Sequence, residues 1–133
     1  MGTTSMTTSA AKGRQAWEDR FTVPTQSALI AGLPSHLSPV AEHARARLGG
    51  TDGVREEVGW QGVWRWTFVY IAAVEPTKAW AYLVPDPSKL RVSIPVPAAL
   101  IPELPVKKLS KFVRDGLLHA PLVGRTKWPM WEI

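Results

Sequence analysis

Apolar and polar positions alternate most clearly between Val63 and Val96, where the chain reads VWRWTFVYIAAVEPTKAWAYLVPDPSKLRVSIPV. Three runs of β-forming residues are separated by Glu75-Pro76-Thr77-Lys78 and by Pro85-Asp86-Pro87-Ser88-Lys89, both of turn composition. This predicts three adjacent antiparallel strands. With Pro76-Thr77 and Pro87-Ser88 at the turn centres, Tyr70 falls opposite Leu83, Ile71 opposite Tyr82 and Ala73 opposite Trp80. In the second hairpin Leu83 meets Val92, Tyr82 meets Ser93 and Ala81 meets Ile94. Strand side chains alternate with period 2, so this pairing sorts residues into two faces. One holds Trp64, Trp66, Phe68, Tyr70, Ala81, Leu83, Val92, Ile94 and Val96, and is the predicted core. The other holds Arg65, Thr67, Val69, Ile71, Trp80, Tyr82, Arg91 and Ser93, and is predicted to stay partly open.

The flanking periodicities are helical. Thr25 is placed to cap a short helix over Gln26–Ala31, ended by Gly32 and Pro34. Ser38-Pro39 reads as a second start signal. Leu37, Val40, Ala41, Ala44 and Leu48 form its apolar stripe, and Gly49-Gly50 stops it. Val54–Trp60 reads as a strand. A tight turn at Gln61-Gly62 would place Arg55 and Glu57 on the aromatic face, which is unfavourable. Either a bulge near Gly59 or Gly62 shifts the register, or this strand is an edge. Prolines between Pro97 and Pro105 allow only short helical turns. A further helix is expected from Pro105 to Leu117, apolar along Val106, Leu109, Phe112, Val113 and Leu117 and basic along Lys107, Lys108, Lys111 and Arg114. Thr126–Ile133 has the composition of a final strand, and Pro129 places it at an edge. The expected architecture is α+β: a four- to five-stranded antiparallel sheet with two main helices packed on one face. Residues 1–20 are expected to form a disordered or loosely packed arm, with Ala16–Phe21 a helical turn or an arm on the body. Residues 21–133 form a single domain.

One group of residues in this order resembles a known family. Phe21-x-x-Pro24-Thr25 precedes a helix and a tryptophan-bearing hairpin. Then come Tyr82-Leu83-x-Pro85, Leu90-Arg91-Val92-Ser93-Ile94, a basic helix and Gly124-Arg125. The pattern resembles the bacterial family known as domain of unknown function 3788, over about residues 21–133 and most specifically over Tyr82–Ile94. The resemblance implies a small α+β domain and contributes no catalytic residues.

Composition narrows the chemistry. In 133 residues there is no cysteine, so disulfides, thiolate catalysis and cysteine zinc sites are excluded. This suits a reducing cytoplasm. No apolar run reaches a membrane span and residues 1–15 lack a signal core, so neither secretion nor a membrane partner is expected. Met6 stands where a myristoylation signal needs Ser or Thr. His36, His43 and His119 lack metal-ligand spacing, and no cofactor is expected. Glu56 and Glu57 point to opposite strand faces and cannot act as an acid–base pair. No phosphate loop, dinucleotide fingerprint or nucleophile elbow is present, which points away from an enzyme.

Seven tryptophans and a net charge of +5 remain. Large aromatics favour cores, pockets and interfaces. Trp80 and Tyr82, flanked by Arg65 and Arg91 with Thr67 and Ser93 as hydroxyl donors, describe a site for a small aromatic or anionic ligand on the open face. The arginines could equally cover the aromatics by stacking. The same face would also serve as a homodimer interface. Lys107, Lys108, Lys111 and Arg114 would serve weak nucleic-acid binding.

Overall fold

The computed structural model describes residues 15–133. The expectation for residues 1–14 lies outside them. Thr25 acts as predicted. Its hydroxyl accepts from the Ala28 amide at 3.0 Å and starts α1, Gln26–Ala31, which ends on Gly32. α2 spans Ser38–Gly49, but Leu37 occupies the cap position and Ser38 caps nothing. The reason is the preceding turn, in which the amides of Leu37 and Ser38 both bond to the Pro34 carbonyl and carry the chain into the helix. Ala41 is fully buried in the stripe, whereas Val40 is exposed.

The strands are β1 (Val54–Trp60), β2 (Trp66–Ala72), β3 (Ala79–Val84), β4 (Arg91–Ser93), β5 (Val96–Pro97), β6 (Leu122–Val123), β7 (Thr126–Lys127) and β8 (Met130–Glu132). Five form an antiparallel sheet in the order β1-β2-β3-β4-β8, and β5-β7-β6 form a small second sheet. The fold is therefore α+β, with α1 and α2 packed on one face of the large sheet. Leu29, Leu33 and Ala41 from the helical side meet Trp66, Phe68, Tyr70, Ala81 and Leu83 from the sheet, all buried. α3, Lys111–Leu118, lies instead against β8 at the sheet edge.

The second hairpin has the expected register, Leu83 opposite Val92 and Tyr82 opposite Ser93. The first is displaced by two residues, with Phe68 rather than Tyr70 opposite Leu83. The loop is longer than a simple turn on Pro76-Thr77: β2 ends at Ala72 and β3 begins at Ala79. An even displacement preserves the faces, so the helix-side set survives through Trp66, Phe68, Tyr70, Ala81 and Leu83. Two tryptophans do not follow it. Tyr70 pairs with Ala81 but Ile71 with Ala79, so Trp80 is the extra residue of a β-bulge. It packs against the helix-side core, not beside Tyr82.

Trp64 moves the other way. β1 and β2 pair from Val54–Ala72 to Trp60–Trp66, so the connection is the five residues 61–65. Gly62 and Arg65 have φ of 59° and 63°, and Gly62–Trp64 make a 3-10 turn. That turn lifts Trp64 out of the alternation and onto the far face. It also settles β1, an edge strand whose Arg55 and Glu57 point away from the helices and pair at 2.7 Å. Residues 15–20 belong to the fold. The Trp17 indole N–H donates to the Trp64 carbonyl at 3.0 Å, and the Trp66 indole N–H to the Asp19 carbonyl at 2.7 Å.

The far face is largely closed: Thr67 and Ser93 are buried, as is Pro129. Thr126–Ile133 is not one strand. Trp128-Pro129 divides it into β7 of the small sheet and β8 at the edge of the large one. The expected basic helix is divided too. Val106–Lys108 form a 3-10 turn, and Ser110 restarts the chain as the cap of α3, accepting from the Val113 amide at 3.3 Å.

Candidate aromatic binding site

The six residues predicted to share a ligand site do not converge. Arg65 pairs with Glu18 at 3.0 Å and lies over the Trp17 ring, 5.2 Å from its centroid. The Thr67 hydroxyl, fully buried, bonds to the Arg65 carbonyl at 3.2 Å. The Ser93 hydroxyl donates to the Pro129 carbonyl at 2.7 Å. Both hydroxyls tie down backbone and are closed to solvent. Arg91 pairs with Asp86 at 3.1 Å, and Trp80 is on the opposite side of the sheet. The bulge removes Trp80, and paired acids occupy the two arginines. Tyr82 stays on the far face, among other aromatic rings.

Its companions are Trp64 and Trp128. Trp64 meets Tyr82 edge-on at 5.5 Å between centroids and Trp128 at 6.3 Å, while Tyr82 and Trp128 lie 6.0 Å apart. These are favourable edge-to-face and tilted separations. Each ring arrives from a different element: Trp64 from the 3-10 turn, Tyr82 from β3 and Trp128 from the break between β7 and β8. Burial pushes the Tyr82 phenol above its ordinary pKa.

Trp64 and Trp128 line an open hollow of about 320 Å³ together with Met130 and with His119 and Pro121 at the end of α3. His119 is its titratable side chain, able to donate or accept a hydrogen bond. Sequence reasoning missed Trp64, His119, Trp128 and Met130 as site residues. Local spacing carries no signal that the end of α3 meets the β1–β2 connection.

A second cleft, of about 460 Å³, opens between α2 and β1 beside Gly49 and Gly50. Arg45 grips both oxygens of Glu56 at 3.0 and 2.7 Å and also reaches Glu42 at 2.7 Å. The Tyr70 hydroxyl donates to Glu56 at 2.7 Å. Every charge here is satisfied from within, so the cluster is a link between α2 and the sheet. Burial alone would raise the Glu56 carboxyl, but hydrogen bonds from Arg45 and Tyr70 hold it below its ordinary value. A depressed carboxyl contributes stability that is present above its unfolded pKa and lost as pH falls through the folded one. Acidification below about pH 4.5 is therefore expected to lower the urea midpoint, and Glu56→Gln to flatten that acid limb. An unchanged acid limb in Glu56→Gln would show that the link carries no folding energy.

The four cations expected on one helix are split, with Lys107 and Lys108 on the 3-10 turn and Lys111 and Arg114 on α3, where Lys111 pairs with Asp115 at 2.7 Å. Among the described residues no group of three or more His, Asp or Glu could hold a metal ion. No family model, curated protein or solved structure matches the chain.

Proposed function

We propose that this protein is a non-catalytic binding domain that takes a small aromatic ligand in the hollow beside Trp64 and Trp128. One observation carries the reading: two indoles, backed by Tyr82, line the same hollow as a thioether and an imidazole, and the hollow is sized for a small molecule. Apolar aromatic walls with few polar groups are the usual composition of such sites. An acidic group on the ligand would be met by His119, since Glu18 and Asp86 already engage Arg65 and Arg91. On the same footing, the Tyr82–Ile94 pattern supports placing the chain with the family of domain of unknown function 3788.

The test uses the aromatic sulfonate dye anilinonaphthalene sulfonate with the full chain. The expected result is saturable binding that weakens about tenfold or more in Trp128→Ala and in His119→Ala, the scale of a lost anchor residue. Trp80→Phe, on the other side of the sheet, should leave the affinity unchanged. Dye binding that ignores both Trp128→Ala and His119→Ala removes the proposal.

A further inference from the structure

We propose that the segment from Ala98 to Lys127 is a peripheral docking surface for an anionic lipid leaflet. Its charge is the first reason. The segment carries six Lys and Arg against two acidic residues, a net of +4 out of the chain's +5. Elsewhere the charges nearly cancel, and Arg45, Arg55, Arg65 and Arg91 all sit in ion pairs. Lys107, Lys108, Arg125 and Lys127 form no ion pair among the described residues.

The second reason is what stands among those cations. Leu118, Leu122 and Val123 are 48, 57 and 65 % exposed. Leu122 and Val123 sit on the β6–β7 hairpin, where Gly124 at φ 62° turns the chain and Arg125 follows. The structure joins these pieces. Leu122 pairs with Lys127, and the Lys127 amine donates to the Leu118 carbonyl at 3.3 Å. Leu118 in turn shares an apolar cleft with Lys107 and Lys108. One neighbourhood therefore holds Leu118 and Leu122 with Lys107, Lys108 and Lys127, and Val123 stands exposed on the other face of the hairpin.

The chemistry separates lipid from other anions. Nucleic acids bound through bases need aromatic platforms; the exposed Phe112 of this segment lines a separate hollow with Val92 and Trp131, and Leu118, Leu122 and Val123 are aliphatic. Protein interfaces favour aromatics and arginine and are depleted in lysine, which dominates here. Aliphatic side chains at the headgroup boundary with clustered lysines match an anionic membrane surface. Among the described residues no helix is long and apolar enough to cross a membrane, and surface docking needs none.

Vesicles of phosphatidylcholine alone, and of phosphatidylcholine with phosphatidylserine in equal parts, test this by co-sedimentation with the full chain. Binding is expected to the mixed vesicles only, weakening about 25-fold when Lys107 and Lys108 are both changed to Ser, at about fivefold per cation. It should weaken similarly in the pair Leu122→Ser and Val123→Ser, whose exposed positions leave the thermal unfolding midpoint unchanged. Absence of binding to mixed vesicles overturns the proposal, as does equal binding to both kinds. Binding that ignores the Leu122 and Val123 changes, or tighter binding to a single-stranded oligonucleotide, reassigns the surface to simple polyanion attraction and overturns it as well.

Discussion

Phe68→Ala is expected to lower the stability of the fold by about 3–5 kcal/mol, the usual cost of emptying a fully buried aromatic position. Phe68 has no exposed surface and sits on β2, paired with Val58 on one side and Leu83 on the other. The Arg45 guanidinium lies 4.8 Å from the centre of its ring. The side chain thus does two things at once. It fills the layer between sheet and helices, and it supplies the π-face against which Arg45 rests while gripping Glu56. Phe68→Leu keeps most of the volume but loses the ring, so its cost should be about 1 kcal/mol, of the order of a cation–π contact and imperfect packing. Urea unfolding of the three proteins checks both numbers. A Phe68→Ala loss under about 1 kcal/mol would mean that the layer collapses around the vacancy and is not close-packed there.

Gly116→Ala is the second large effect, and its sign is the informative part. In the middle of an ordinary helix this change stabilises by about 0.5–1 kcal/mol, because glycine is the worse helix former. Here a Cβ on Gly116 would land inside the Trp131 indole. Trp131 is buried on β8, so making room means moving its indole off the packing it has against α3. The expected outcome is a loss of about 1–3 kcal/mol from overpacking. The Trp131 indole N–H is buried without a partner, so Trp131→Phe gives up no hydrogen bond and frees the space that alanine needs. The double variant should recover much of the Gly116→Ala loss, a coupling that only touching residues show. If Gly116→Ala raises the unfolding midpoint, α3 does not dock on β8 as described.

Both predictions also mark the boundary of what the residue pattern made legible. Phe68 was identifiable as core from alternation alone, because a strand sends every second side chain to the same face. Even the displaced first hairpin left that identification intact, since a shift of two residues changes partners without changing sides. The close approach of Gly116 and Trp131 was not legible. No local spacing marks Gly116, inside a basic amphipathic segment, as the place where a helix meets an indole. The proposed ligand site shows the same division. Tyr82 was on the right face for the right reason. Trp80 was expected beside it and lies on the other, because a single extra residue in β3 reverses the alternation beyond it.

The amino-acid sequence by itself determined the α+β class, the Thr25-capped helix, the second hairpin's register and the parity that sorts β2, β3 and β4 into two faces. These rest on chemistry within a few residues: a hydroxyl three positions from an amide, two prolines around an aspartate, every second side chain apolar. Only the tertiary structure decided that Trp64 leaves the core and Trp80 enters it. It also decided that Pro129 divides one apparent strand between two sheets, and that α3 docks on the edge strand β8. Each of those outcomes turns on the length of a connection or on one unpaired residue. Which alternative wins is set by what the displaced side chain can pack against, and those partners come from parts of the chain far away in sequence.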